Sequence, residues 1–211
     1  MARAKSEIDL ALFTLLERGE VATQLTMSRE IGVSIGLVNA LLRRAIRKGY
    51  VKVKAVSCRR YVYYLTPHGF AEKSRLVAEY LESSLRFFRE VRNQYADGLR
   101  SFQAWGWCRF ALAGGGELAD IAILAARDCG AEVLAVIDPH TNRSRVAGVP
   151  ICRSLEELSG VDAVVLTDGR NPQSTYDLVV QKVESRRILA PAFLRVVQRD
   201  APFYSAQELE S

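Results

Sequence analysis

The sequence predicts two joined folds: an α+β winged helix-turn-helix connected by a long helix to a small α/β Rossmann-like domain with a parallel sheet. Three observations carry this. Residues 23–65 hold two capped helical patterns and a basic alternating hairpin; residues 70–102 carry a proline-free helical stripe; residues 109–190 alternate apolar strands with helices around Gly114-Gly115-Gly116. The chain then divides into a winged helix-turn-helix at 1–68, a linker and pairing helix at 69–104, a Rossmann-like unit at 108–198 and a tail at 199–211.

The first pattern opens at Thr23, a suitable N-cap, places Met27 and Ile31 on one face, and stops at Gly32. A tight turn follows. Ser34 caps a second helix through Lys48, in which Val38, Leu41, Leu42, Ala45 and Ile46 form the apolar stripe before Gly49. The opposite face carries Gly36, Asn39, Ala40, Arg43 and Arg47. Small and hydrogen-bonding side chains in the first turns with arginines beyond suit a helix whose N-terminal end enters a major groove.

Tyr50-Val51-Lys52-Val53-Lys54, the basic tip Ser57-Cys58-Arg59-Arg60 and the return Tyr61 to Leu65 read as a two-stranded wing. Candidate DNA contacts are therefore Thr23, Gln24, Ser34, Gly36, Asn39, Ala40, Arg43 and Arg47 on the helices, with Lys52, Lys54, Arg59 and Arg60 on the wing. The wing residues meet phosphate. Charge agrees with this division: residues 1–68 hold 12 Lys and Arg against 5 Asp and Glu, whereas residues 108–211 hold 11 against 14. A net +7 in the first part suits a polyanionic partner.

Thr66-Pro67-His68-Gly69 starts a new helix, and Val77, Leu81, Leu85, Phe88, Val91, Tyr95, Leu99 and Phe102 recur at helical spacing. At about 1.5 Å per residue this is a rod of roughly 50 Å. A homodimer paired through residues 70–102 is the expectation, since a two-fold protein reads a palindromic double-stranded site. The alternative is that the rod folds back on its own C-terminal domain. Ala104-Trp105-Gly106-Trp107 marks the end of the rod.

Beyond it come strands at 109–113, 132–137, 162–167 and 187–189, with helices at 117–128, 155–158 and 172–184. Continuous apolar strands such as Ala163 to Leu166 between helices indicate a parallel sheet covered on both faces. Gly114-Gly115-Gly116-Glu117-Leu118-Ala119 fits G-x-G-x-x-A between the first strand and helix, and Asp138 ends the second strand. The candidate ligand set is Gly114, Gly115, Gly116, Glu117, Leu118, Asp138, Thr167 and Asp168, for NAD(H) or another nucleotide-like ligand.

Glu117 and Asp120 in the helix's first turn oppose phosphate, so a purely structural glycine turn stays open as the alternative. Arg143 and Arg145 either meet an extra phosphate or are solvated. His68 and His140 have no nucleophile in register, so no catalytic set is read and the chain is expected not to be an enzyme. Cys58, Cys108, Cys129 and Cys152 lack metal or disulfide spacing, so no metal is expected; a redox role for Cys58 beside Arg59 and Arg60 is an alternative. Without a membrane-length apolar run or signal pattern, a cytoplasmic location away from membranes is expected.

Gly32 to Asn39, Arg47 to Lys54 and Tyr64 to Leu76 resemble MarR-type winged-helix regulators associated with bacterial exopolysaccharide gene clusters. That resemblance implies DNA binding by a dimer and control of surface polysaccharide genes. The glycine loop, the Asp138 strand end, Gly148-Val149-Pro150-Ile151, Leu155 to Leu158 and Ile188 to Pro191 are similar to the sensor domain of the redox repressor Rex family and to the N-terminal unit of sugar O-acyltransferases. The first implies NAD(H) sensing, the second a nucleotide-linked sugar.

The expectation is a dimeric transcriptional regulator whose Rossmann-like part senses a small-molecule effector. One alternative is a nucleotide-dependent oxidoreductase or transferase subunit; another keeps DNA binding and makes the Rossmann-like part a ligand-free oligomerisation module.

Overall fold

The computed structural model describes residues 5–18, 23–57 and 60–198, leaving aside the side chains of residues 5, 55–57 and 60. They form two compact units, one to Arg86 and one from Phe87.

The first unit contains α1 (Lys5–Glu17), α2 (Gln24–Ile31), α3 (Ile35–Arg47), β1 (Val51–Ser57), β2 (Arg60–Leu65) and the beginning of α4 (Pro67–Ala104). Helices α2 and α3 are each closed by a local device. The Thr23 hydroxyl accepts the Thr26 N–H at 3.2 Å, and the Ser34 hydroxyl accepts the Leu37 N–H at 3.3 Å. Gly32 ends α2 at φ 75°, a left-handed conformation that favours glycine. Ser28 fixes the turn by donating to the Val33 carbonyl at 2.6 Å. Together these set α2 and α3 at 106°, within the helix-turn-helix range.

The core gathers Leu12, Phe13 and Leu16 of α1 with Met27, Ile31, Val38, Leu41, Leu42, Ala45, Val51, Tyr63 and Leu76. Helix α1 has no counterpart among the elements read from the sequence. Ile46, expected in the α3 stripe, is instead exposed because it lies at the edge of the arc filled by Val38, Leu42 and Ala45. The wing returns close to α3: the Thr66 hydroxyl donates to the Gly49 carbonyl at 2.6 Å and accepts the Gly69 N–H at 3.0 Å. A Cβ on Gly69 would lie 2.1 Å from the Tyr50 carbonyl oxygen, so only glycine permits this closure.

The second unit holds β3 (Arg109–Ala113), α5 (Glu117–Cys129), β4 (Glu132–Ile137), β5 (Arg145–Val146), β6 (Val149–Cys152), β7 (Ala163–Leu166), α6 (Pro172–Val179) and β8 (Ile188–Leu189). Its strand order is β5-β6-β4-β3-β7-β8, with β6, β4, β3, β7 and β8 parallel and β5 antiparallel to β6. Strand order reverses between β4 and β7 on either side of β3, the switch point at which doubly wound sheets open a crevice. The helix expected at 172–184 stops at Val179, where short turns lead to β8. The β5–β6 hairpin was not foreseen.

The largest departure concerns α4. Val91, Tyr95, Ala96, Leu99 and Phe102 are buried against Phe110, Leu112, Ile123, Val136 and Val165 of their own unit. A dimer paired along the whole of 70–102 is therefore corrected, since the second half of that stripe already covers its own sheet. Gly98 allows the close approach: a Cβ there would lie 2.4 Å from Leu189 Cδ1. The Tyr95 hydroxyl donates to the Leu166 carbonyl at 2.9 Å, and burial pushes its phenol well above the usual range. Val77, Tyr80, Leu81, Leu85 and Phe87, by contrast, are exposed.

Candidate nucleic-acid interface and ligand crevice

Helix α3 buries Val38, Leu41, Leu42 and Ala45, which turns Gly36, Ala40, Arg43 and Arg47 outward along one line. Asn39 is half-buried beside them, and Ile35 and Leu37 flank the first turn exposed. Helix α3 is anchored from behind by Arg44, whose guanidinium donates to both carboxylate oxygens of Asp9 on α1.

Thr23 and Ser34 are exposed but spend their hydroxyls on capping α2 and α3, and Gln24 is half-buried. On the wing, Lys52 and Lys54 are exposed, with Tyr64 paired across from Lys52. Cys58 and Arg59 lie outside the described residues, as does the Arg60 side chain. Sequence reasoning passed over Lys48, whose ammonium sits 5.6 Å from the Tyr50 ring centroid.

A cleft of about 450 Å³ between α1, α3 and α4 was also unforeseen. Its charges neutralise one another: Arg44 pairs with Asp9, and Arg75 with Glu72 and Glu79. The Arg75 hydrogen bond holds the Glu72 carboxyl below its usual range.

In the second unit the glycine loop leaves β3 at the switch point. Gly114 has φ 115°, and a Cβ there would lie 2.6 Å from the Asp168 backbone nitrogen. Gly115 donates its N–H to Asp138 Oδ2 at 3.1 Å, and a Cβ there would meet the same oxygen at 2.7 Å. Gly116 is different. It is the N-cap of α5 at φ −83° and ψ −168°, an ordinary extended conformation, and nothing lies within 4 Å of an added Cβ. The fold explains the first two glycines and does not explain the third.

The polar groups around the loop are largely committed to the protein. Asp138 accepts the Gly115 N–H on one oxygen and the His140 N–H, at 2.9 Å, on the other. Thr167, fully buried, donates to the Gly114 carbonyl at 2.7 Å. Asp168 accepts the N–H groups of Arg170 and Asn171 and the Thr175 hydroxyl, at 2.8, 3.1 and 2.7 Å. Burial works to raise its pKa, but these hydrogen bonds outweigh it and hold the carboxyl below its usual range.

Leu118 is half-buried beneath Gly169, and Glu117 is exposed at the start of α5. Asp138, Thr167 and Asp168 thus first of all fasten three loops at the carboxyl ends of β4, β3 and β7. Among the described residues no group of three or more His, Cys, Asp or Glu is placed to hold a metal ion. No single helix there is long and apolar enough to cross a membrane.

No family model matches the chain. A 54-residue stretch is 37% identical to a 4-hydroxy-tetrahydrodipicolinate reductase of Streptococcus sanguinis, and 46 residues are 41% identical to that of Streptococcus gordonii. The chain spans 21% and 18% of those two proteins.

Among solved structures, a MarR family protein of Mycobacterium tuberculosis in complex with salicylic acid is 21% identical, with TM-score 0.34, over 39% of this chain and 63% of that one. Human N-acetylserotonin methyltransferase in complex with SAM is 12% identical, with TM-score 0.27, over 76% and 67%. Likeness at this level bears on neither activity nor ligand. The expectation that the chain is not an enzyme is nevertheless corrected by the sequence matches, since both matched stretches belong to reductases.

Proposed function

We propose that the chain is a DNA-binding transcriptional regulator that acts as a dimer, with a Rossmann-like unit that responds to a nucleotide-like ligand such as NAD(H) or a nucleotide-linked sugar. The observation that carries the reading is the outward line of α3. Two helices at 106° present a face that is small at Gly36 and Ala40 and cationic at Arg43 and Arg47, inside the part of the chain that holds the positive charge. Small residues let a helix sit deep in the major groove, and arginines meet guanine edges or phosphate.

Lys52 and Lys54 serve backbone phosphate, and the site read by two copies is palindromic. Surface-polysaccharide genes are the targets the sequence resemblance favours. Gly116 supports the ligand half of the reading, since a residue the fold leaves unexplained stands where a phosphate or ribose approaches the backbone.

The test is selection of a preferred duplex from a random pool, followed by affinity titration at several salt concentrations. Asn39→Ala is expected to weaken the selected site by about 1 to 3 kcal/mol and relax one base position. Lys54→Ala should weaken selected and random duplexes alike and shrink the salt slope by about one phosphate contact. Equal losses on both duplexes from both variants would remove α3 from its recognition role.

The reductase matches favour a second reading, in which the Rossmann-like unit turns over a nucleotide cofactor. Steady cofactor consumption by the pure protein is its signature.

A further inference from the structure

We propose that the crevice is selective for a nucleotide whose ribose itself carries a phosphate ester, at the 2′ or 3′ oxygen, and that Arg143 and Arg153 bind that phosphate. This rests on the nucleotide reading of the crevice and specifies its ligand.

The carboxyl ends of β4 and β6 carry the argument. The two strands run parallel with Ile137 opposite Cys152, and the Asp138 N–H donates to the Cys152 carbonyl at 3.0 Å. Asp138 and Arg153 are therefore the next residues along the same two strand ends, side by side at the rim where the ribose of a nucleotide on this fold lies.

The loop from Asp138 returns to the same place, for the Ile151 N–H donates to the Ser144 carbonyl at 3.0 Å. That brings Arg143 to the end of β6 as well. Arg145 is removed from consideration, because its guanidinium donates to the Gly148 carbonyl at 2.7 Å and closes the hairpin.

Arg143 and Arg153 differ from it in being uncommitted. Both are exposed, and among the described residues neither guanidinium is in a hydrogen bond or ion pair. Their backbone N–H groups are used, Arg143 toward the Thr141 hydroxyl at 3.3 Å and Arg153 toward Glu157 Oε1 at 3.2 Å.

Two acids face this corner. Glu157 accepts that Arg153 N–H, and Asp138 has already taken an N–H on each oxygen. Asp138 keeps a second lone pair on each oxygen, but the two uncommitted guanidiniums at the same strand ends are the charged donors that a phosphate monoester takes and a ribose diol does not need. The hydrogen-bonded Asp138 keeps the loops in place and the arginines supply the charge.

The experiment is calorimetric titration of the full chain with AMP, adenosine 2′,5′-bisphosphate and adenosine 3′,5′-bisphosphate. One bisphosphate is expected to bind about tenfold or more tighter than AMP, the usual reach of a bidentate charge-assisted contact. Which of the two does so identifies the phosphorylated oxygen. In the Arg143→Gln, Arg153→Gln double variant the bisphosphate affinity falls to that of AMP while AMP itself is unchanged.

Gly116→Val, whose Cβ meets no atom of the fold within 4 Å, should abolish binding of all three. Equal affinities for AMP and both bisphosphates, all lost in Gly116→Val, overturn the ribose-phosphate assignment and leave the crevice reading standing. Bisphosphate binding that survives Gly116→Val, or binding by none of the three, overturns both.

Discussion

Among the described glycines, Gly36 and Gly116 are the two that neither backbone conformation nor close packing requires, and they stand at the two places where a partner is proposed. Gly36 lies in the first turn of α3 with open space around an added Cβ and no left-handed backbone to justify it. A helical glycine is unfavourable by about 1 kcal/mol relative to alanine. Gly36→Ala is therefore expected to raise the unfolding free energy by up to about 1 kcal/mol while weakening binding to the selected duplex. Chemical denaturation and fluorescence anisotropy on the same preparation check the opposing signs; a variant that gains stability and keeps full affinity would leave Gly36 without a role in close approach. Gly114 illustrates the other case. Its φ of 115° and its approach to Asp168 were not legible in the sequence, where all three loop glycines look alike, because the difference lies in what the β7 loop brings against each of them.

At the scale of elements, what the sequence revealed and what it hid both follow from periodicity. The caps of α2 and α3 and the strands β3, β4 and β7 were legible because side-chain chemistry at Thr23, Ser34 and Gly32, or an unbroken apolar run, marks them locally. The β5–β6 hairpin was not, since its strands are two and four residues long and its turn rests on Ala147 and Gly148 at φ 44° and 88°. Helix α4 shows the deeper limit. Its apolar positions form a single stripe from Val77 to Phe102, and spacing alone does not say that one stretch covers a sheet while another faces outward. The two stretches should respond differently to mutation. Leu99→Ala is expected to cost about 2 to 5 kcal/mol of stability, as for other buried leucines. Leu81→Asp, at a position 56% exposed, should leave monomer stability within about 0.5 kcal/mol and shift sedimentation from dimer to monomer. A wild-type protein that sediments as a monomer at every concentration would end the proposal that the chain acts as a dimer.

At the scale of the whole molecule, the units are joined by one continuous helix, with Leu76 in the core of the first and Val91 in the core of the second. If a ligand in the crevice alters DNA affinity, the coupling is a free energy shared by both sites, so DNA must alter ligand affinity by the same factor. That reciprocity is independent of the structural route, but the route itself is open to test. Ser83 and Ser84 sit exposed within the stretch of α4 between the two cores. Replacing both with glycine removes no buried contact and weakens the helix there by about 0.5 to 1 kcal/mol per position. The expected outcome is a double variant in which DNA affinity without ligand and ligand affinity without DNA stay near their wild-type values, while the factor linking them shrinks toward one. Titrating DNA with and without saturating ligand, and ligand with and without saturating DNA, measures that factor twice. Two equal factors that persist undiminished in the double-glycine chain would show that the stiffness of α4 does not carry the signal, and the coupling would then have to run between subunits or through the DNA.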